Sequence, residues 1–170
     1  MRTLLVNGSL IDCVQPRVVP GAAVLIEDGR IREIHTDGGD FHVDDATRID
    51  LHGAYLMPGL WDVHIHPDYF SSLSEMPLAD QVTLFGHRLM AALTDSGIIG
   101  LRCAGAHDYM DVAWKRAFDS KQYNGPRLFA CGHFLTTTGG HFLTSGHALE
   151  CDGPYGFVKA IREQIKNGVD

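Results

Sequence analysis

Two histidines separated by one residue are the side chains in this sequence best suited to chemistry. His64 and His66 lie in LWDVHIH, an apolar run with β-branched residues that predicts a strand. Residues two apart in a strand point to the same face, so both imidazoles, and Asp62 with them, are expected to project together. Two adjacent imidazoles can hold one divalent ion such as Zn²⁺. Asp62 could accept a hydrogen bond that sets a histidine tautomer, although a structural role for it is equally open.

The plainer interpretation of this pair is two exposed polar residues at the end of a strand. Its position favours metal binding, because the pair follows an apolar Pro-Gly-Leu turn and opens a series of alternating strands and helices. In a parallel β/α barrel, the carboxyl end of each strand faces the active site.

Three further histidines crowd one stretch of the chain: His133, His141 and His147. His141 follows two glycines in the Thr/Gly/His-rich loop at residues 136–153, and glycines let a backbone approach a ligand closely. A hydrogen bond that orders the loop is the alternative role for His141. A structural zinc site formed with Cys131 and Cys151 matches no standard ligand spacing. We therefore expect no structural zinc site in this stretch.

Residues 1–57 carry short apolar strands and no helical periodicity. Asp28-Gly29 joins two of these strands and suits the positive φ angles of a type I′ hairpin turn. His52-Gly53 separates two more. A small β-sandwich is the expected arrangement.

Residues 58–170 alternate between strand and helix patterns. The expected strands are LWDVHIH, IIGLRCAG and RLFACGHF, and the expected helices cover residues 77–93, 110–118 and 157–165. Gly97 is the predicted stop of the first helix. Repeated βα units predict a parallel sheet or barrel, so the chain is expected to comprise a β-sandwich part at 1–57 and a β/α part at 58–170.

The composition excludes several classes of protein. The chain has 170 residues, and 14 basic against 21 acidic side chains give a net charge of −7. It has no basic run to neutralise phosphates, so we expect no nucleic-acid partner. It also has no apolar run long enough to cross a bilayer, so we expect no membrane partner. Four widely spaced cysteines and no secretion signal predict a cytoplasmic protein with thiols mostly buried as small apolar residues.

Several segments together resemble the amidohydrolase superfamily. LMPGLWDVHIHP resembles the entry strand of its barrel, and VNGSLID with AAVLIEDGRIREI is similar to its N-terminal sandwich strands. GPRLFACGHFLTTTGGH resembles the third strand and loop of the branch that contains imidazolonepropionases and Xaa-Pro dipeptidase-like enzymes. The resemblance implies an α/β protein: a (β/α)8 TIM-type barrel, preceded by a small β-sandwich, that hydrolyses C–N bonds with a metal-activated hydroxide.

The resemblance also implies roles for single residues. His64 and His66 would ligate the more buried of one or two divalent ions, with zinc expected, and His141 would contact a small-molecule amide substrate. The family's bridging lysine, two later histidines and catalytic aspartate belong to strands beyond residue 170. We therefore expect the first three to four βα units of a barrel that needs about 250 residues. This N-terminal portion would contain no catalytic residue of its own and would be inactive alone. A non-catalytic βα binding or assembly module is the alternative, and a homo-oligomer is left open.

Overall fold

The computed structural model describes residues 1–37, 41–68, 76–141 and 148–170. They form two compact units, Met1–Pro58 and Gly59–Asp170.

The first unit is a five-stranded sheet with the strand order β3-β2-β1-β4, in which β5 also pairs with β1. Its strands are β1 (Arg2–Leu10), β2 (Val19–Glu27), β3 (Arg30–His35), β4 (Thr47–Asp50) and β5 (Tyr55–Leu56). β1, β2 and β3 are antiparallel neighbours, whereas β4 and β5 run parallel to β1. Asp28 and Gly29 have φ angles of 50° and 76°, so the β2–β3 hairpin turns as its sequence predicts.

The buried face of this sheet centres on β1 and β2. Leu4, Val6, Ala23 and Leu25 form its core, and apolar side chains from the segment between β3 and β4 pack against them: Phe41, Val43 and Ala46. A sandwich requires a second sheet facing the first. The described residues of this unit form one sheet, so the second layer of the expected sandwich stays a prediction.

The second unit alternates strands and helices as expected. Its main elements are β6 (Leu60–Ile65), α1 (Leu78–Ser96), β7 (Ile98–Cys103), α2 (Met110–Asp119), β8 (Arg127–Phe129) and α3 (Gly153–Asn167). β6, β7 and β8 are parallel and adjacent in chain order. α1 ends at Gly97 in the left-handed conformation, as expected for a glycine stop. Among the helices in the described ranges, none is long and apolar enough to cross a bilayer.

Apolar side chains of α1, α2 and the sheet make the core of the second unit. Phe85 and Leu89 come from α1, Met110 from α2, and Leu101 with Cys103 from one face of β7; each is at most 2% exposed. Burying a side chain such as Phe or Leu stabilises a fold by roughly 1.5–3 kcal/mol. This core therefore holds the parallel sheet against its helices.

The predicted strand RLFACGHF is wrong in one respect, because it is broken in the middle. β8 ends at Phe129, and a separate strand β9 (Phe134–Thr136) pairs in parallel with β10 (Ala148–Glu150), which lies within the expected loop. Two amides in the gap donate to the buried Asp111 carboxylate instead of a neighbouring strand. Gly132 also adopts a φ of 67° there, which interrupts an extended chain.

Gly86 provides a test of the packing between α1 and α2. A Cβ at this position would fall inside the Trp114 indole ring, whose Nε1–H donates to Val82 O at 2.8 Å. We expect Gly86→Ala to lower the free energy of unfolding by about 1–3 kcal/mol through overpacking, although alanine favours helix. Urea unfolding followed by tryptophan fluorescence and helix circular dichroism measures this change.

Gly156→Ala in α3 is the matched control. Its Cβ would approach no heavy atom closer than 3.7 Å, so the variant should be neutral or up to about 1 kcal/mol more stable. Equal effects of the two substitutions would contradict the proposed contact between Gly86 and Trp114.

Thiol labelling tests the burial of the cysteines. Cys103 and Cys151 are buried, Cys131 is half-buried and Cys13 is exposed. Burial, and next the nearby Asp111 carboxylate, raise the pKa of the Cys103 thiol far above its usual range. The thiolate is the reactive form, so Cys103 should resist alkylation in the folded protein even when the pH is raised from 7 to 9. Mass spectrometry should find Cys13 modified first and Cys103 modified only in urea. Equally fast labelling of both in the folded state would contradict this assignment.

Candidate metal centre

His64 and His66 lie where β6 ends, and their rings converge. His64 belongs to the strand and His66 is the first residue after it. Their Nε2 atoms are 3.2 Å apart, and the ring planes cross at 69°. Two ring nitrogens thus face one point in space.

This spacing fits a shared metal ion. Zn–N bonds measure roughly 2.0–2.1 Å, so two imidazole nitrogens on one tetrahedral zinc lie about 3.3 Å from each other. Two unprotonated nitrogens at 3.2 Å repel each other, and only a proton or a cation between them relieves the repulsion. The donor pair therefore fits a divalent ion that prefers imidazole.

The second ring nitrogen of His66 determines its tautomer. His66 Nδ1 lies 3.2 Å from Gly105 O, and a carbonyl oxygen only accepts, so Nδ1 carries the proton and Nε2 presents its lone pair. Metal-binding histidines commonly donate their other ring N–H to a carboxylate or a carbonyl in this way. Gly105 has a φ of 146°, and a Cβ there would collide with the Phe134 ring. Only glycine therefore suits this position.

Asp62 departs from the expected alternation along β6. Asp62 pairs with Leu101, and Ile65 pairs with Cys103. Ile65 is three residues after Asp62, whereas Cys103 is only two residues after Leu101, so β6 contains one extra residue. This bulge breaks the period of two between Asp62 and the histidines. Asp62 Oδ1 accepts the backbone N–H of His64 at 3.2 Å, whereas the ring proton of His66 goes to Gly105. The suggested tautomer-setting role of Asp62 is therefore wrong for His66.

His141 borders the same cavity as the histidine pair. The cavity has a volume of about 240 Å³ and is lined by His64, His66, Ala104, Phe134 and His141. The edge of Phe134 faces His66, with ring centroids 6.2 Å apart. The structure thus brings together the three side chains that the sequence singled out.

Hydrogen bonds to two acidic residues hold the residues that precede His141. Asp152 accepts from the backbone N–H of Thr138 at 3.1 Å and from its hydroxyl, and Glu150 accepts from Gly139 N at 3.1 Å. The hydrogen bonds from Thr138, its hydroxyl first, lower the pKa of the Asp152 carboxyl. His141 N itself donates to Thr136 Oγ1 at 2.9 Å. These contacts hold residues 136–141 at the edge of the cavity.

His133, another histidine of this stretch, does not join the pair. The His133 ring packs edge-on against Tyr109, with centroids 4.9 Å apart, and does not line the cavity. His147 lies outside the described residues. Within residues 1–37, 41–68, 76–141 and 148–170, no three or more His, Cys, Asp or Glu side chains converge as a ligand set. Among the described residues, His64 and His66 are therefore the two candidate ligands, and no structural zinc site is found.

Two contributors to this site were not predicted from the sequence. Gly105 acts through its carbonyl oxygen, and Phe134 acts as a wall of the cavity. A glycine at the end of the predicted strand IIGLRCAG was the available signal for Gly105, because a glycine there marks a backbone that must come close to another group. Phe134 gave no signal, since its sequence context is that of an ordinary strand residue.

Comparison with curated proteins finds relatives that share part of this chain, whereas no protein-family model matches it. A dihydroorotase of Syntrophotalea carbinolica is 38% identical over 66 residues, which are 39% of this chain and 15% of that protein. Adenine deaminase 3 of Rhizobium meliloti is 35% identical over 60 residues, which are 35% of this chain and 10% of that protein.

Solved structures match nearly the whole chain. A crystal structure of an amidohydrolase superimposes with a TM-score of 0.83 at 29% identity, covering 100% of this chain and 45% of that one. A Xaa-Pro dipeptidase with bound methionine superimposes with a TM-score of 0.83 at 28% identity, covering 100% of this chain and 46% of that one. A prolidase complexed with N-methylphosphonate-L-proline superimposes with a TM-score of 0.84 at 25% identity, covering 99% of this chain and 45% of that one.

The chain thus spans less than half the length of these solved structures. The solved structures that match nearly the whole chain are amidohydrolase-family proteins, and the fold and the paired histidines of this chain agree with that similarity.

Proposed function

We propose that His64 and His66 ligate a divalent metal ion, with zinc expected, in a hydrolase that cleaves C–N bonds. The observation that carries this proposal is the pair of Nε2 atoms 3.2 Å apart, combined with the Nδ1–H of His66 bonded to Gly105 O. The amidohydrolase, dipeptidase and prolidase matches support the same chemistry. The complete protein would hold one or two ions.

The residues of this chain would bind the ion and shape its surroundings. A divalent ion lowers the pKa of a coordinated water to about 7 and polarises a carbonyl oxygen. The Nε2 atoms of His64 and His66 face one point, and the Gly105 carbonyl holds the His66 ring in the orientation that metal binding requires. Phe134 forms an apolar wall of the cavity beside His66.

We infer that His141 contacts the substrate rather than the metal. It borders the same cavity as the pair but, in the described part of the chain, does not converge with it as a third ligand. A small-molecule amide, a cyclic amide or a dipeptide-like compound fits the chemistry of such a site. Among the solved relatives, the prolidase was crystallised with a proline phosphonate and the dipeptidase with methionine.

We further propose that the second unit is the first part of a (β/α)8 barrel. β6, β7 and β8 are successive parallel strands, and the backbone N–H of Asp170 after α3 donates to Ala130 O at 3.0 Å, beside the end of β8. The chain thus returns to the open edge of the sheet, where a fourth parallel strand would lie. Catalytic zinc sites usually have three protein ligands, so the 170 residues alone would be inactive.

Replacing both histidines tests the catalytic proposal. The full-length protein, loaded with zinc or manganese, should hydrolyse members of a panel of dipeptides and cyclic amides. His64→Ala combined with His66→Ala should abolish this activity, because removing a ligand pair removes the ion that activates water. Turnover and bound metal, measured by elemental analysis, should fall together. Retention of metal-dependent hydrolysis by the double variant would refute the proposal.

The 170-residue chain itself should bind zinc without turning over substrate. Isothermal titration should show weak binding of Zn²⁺ that His64→Ala removes. His52→Ala is the matched control, because His52 lies exposed in the first unit, and this variant should bind zinc as the parent chain does. Measurable hydrolysis by the isolated 170 residues would contradict the expected inactivity.

A further inference from the structure

The carbonyl that holds His66 belongs to a peptide group that is itself held at its other end. Gly105 C=O and Ala106 N–H are the two ends of one planar peptide. The carbonyl accepts from His66 Nδ1 at 3.2 Å, and the N–H donates to Gly132 O at 2.8 Å. The orientation of the His66 acceptor therefore depends on Gly132.

A second peptide continues this chain of hydrogen bonds. Gly132 C=O and His133 N–H again belong to one peptide, and His133 N donates to Gln164 Oε1 at 3.0 Å. Gln164 lies on α3 and is only 4% exposed. An unbroken series of three hydrogen bonds and two rigid peptides thus links the side chain of Gln164 to the ring of His66.

Gln164 is oriented for this one contact. Its Oε1 must face the His133 N–H, because exchanging the amide oxygen and nitrogen would set two donors against each other. In the described part of the chain, the buried Nε2 of Gln164 has no hydrogen-bond partner. Burying an amide donor without a partner costs free energy. A buried apolar residue would avoid that cost, so the acceptor oxygen is the feature that distinguishes glutamine here.

A second buried side chain binds the backbone just before the Gly132–His133 peptide. Asp111 on α2 is fully buried, and its Oδ2 accepts the N–H groups of Cys131 and Gly132, both at 2.8 Å. Gly132 packs closely against the Gln164 amide oxygen and the Tyr109 ring, leaving no room for a Cβ. The two peptides can therefore shift little while both helices keep their anchors.

We propose that Gln164 is a positioning residue for the metal ligand His66. The proposal rests on the metal-binding role of the histidine pair, but its first test requires no metal. Removing the Oε1 acceptor releases the Gly132–His133 peptide, which lets the Gly105–Ala106 peptide rotate and weakens the contact at His66 Nδ1. The Nε2 lone pair of His66 then loses its fixed direction.

The test compares Gln164→Met with the unaltered chain, because methionine keeps the length and volume of glutamine and lacks the acceptor. Two-bond ¹H–¹⁵N spectra of the metal-free protein report the tautomer of each histidine. His66 should carry its proton on Nδ1 in the parent chain and show mixed tautomers in Gln164→Met. His52 is an internal reference that should not change.

Gln81→Met is the matched control. Gln81 is a similarly buried glutamine on α1, 7% exposed, and its Nε2 donates to Met76 O at 2.8 Å, away from the series described above. This variant should lose comparable stability in thermal unfolding and leave the His66 tautomer unchanged. An unchanged His66 tautomer in Gln164→Met, or an equal change in Gln81→Met, would overturn the proposal.

Zinc titration gives the second readout. Groups that orient a metal ligand typically contribute about 10–100-fold to metal affinity. Because Gln164 acts on His66 through two peptide groups, we expect its contribution at the lower end of this range. Gln164→Met should lose about 10-fold in zinc affinity, whereas Gln164→Glu, which keeps an acceptor oxygen, should recover most of it. If the unaltered chain binds no zinc, the metal-binding proposal fails, and the tautomer result still decides the role of Gln164.

Amide exchange in the unaltered protein covers the case in which Gln164→Met does not fold. The N–H groups of Ala106 and His133 should exchange slowly, because both are bonded within the series. Exchange of either at the rate of an exposed amide would also overturn the proposal.

Discussion

The hydrogen bond from His66 Nδ1 to Gly105 O is the interaction on which the candidate site depends. A histidine binds a metal through a nitrogen whose lone pair is free of a proton, and the partner of the other nitrogen decides which one that is. The carbonyl of Gly105 places the proton on Nδ1 and leaves Nε2 facing His64 across 3.2 Å. Because a backbone carbonyl does not titrate, Gly105 O remains an acceptor for His66 Nδ1 at any pH.

The elements around the site are arranged to support that bond. The two histidines lie at the end of β6, and the segment after β7 supplies the Gly105 carbonyl. The segment after β8 binds the other end of that peptide group through Gly132 O. Two helices then hold the β8 segment through the buried side chains of Asp111 and Gln164. The parallel order of the three strands brings these segments to one edge of the sheet. The break in the predicted strand RLFACGHF is part of this arrangement. The backbone N–H groups in the break donate to side chains of α2 and α3 instead of to a neighbouring strand.

Local chain chemistry explains which parts of the fold were predictable. The Asp28-Gly29 hairpin, the apolar face of α1 and the glycine stop at Gly97 each depend on residues close in sequence. The break after Phe129 was not predictable in this way, since the group that captures the Cys131 and Gly132 amides lies about twenty residues earlier, on α2. The short strand β10 was missed for a similar reason, because a three-residue strand forms only where a partner strand is available.

The sequence alone determined the residue types and their local periods: a histidine pair at the end of a strand, a third histidine after two glycines, and strands alternating with helices. The tertiary structure decided what each group touches. It turned Asp62 away from its expected role through a bulge, and it selected a backbone carbonyl as the partner of His66. It also connected that carbonyl to Gln164. The physical reason is that every residue carries the same backbone donors and acceptors, so only their positions in space show which of them are used.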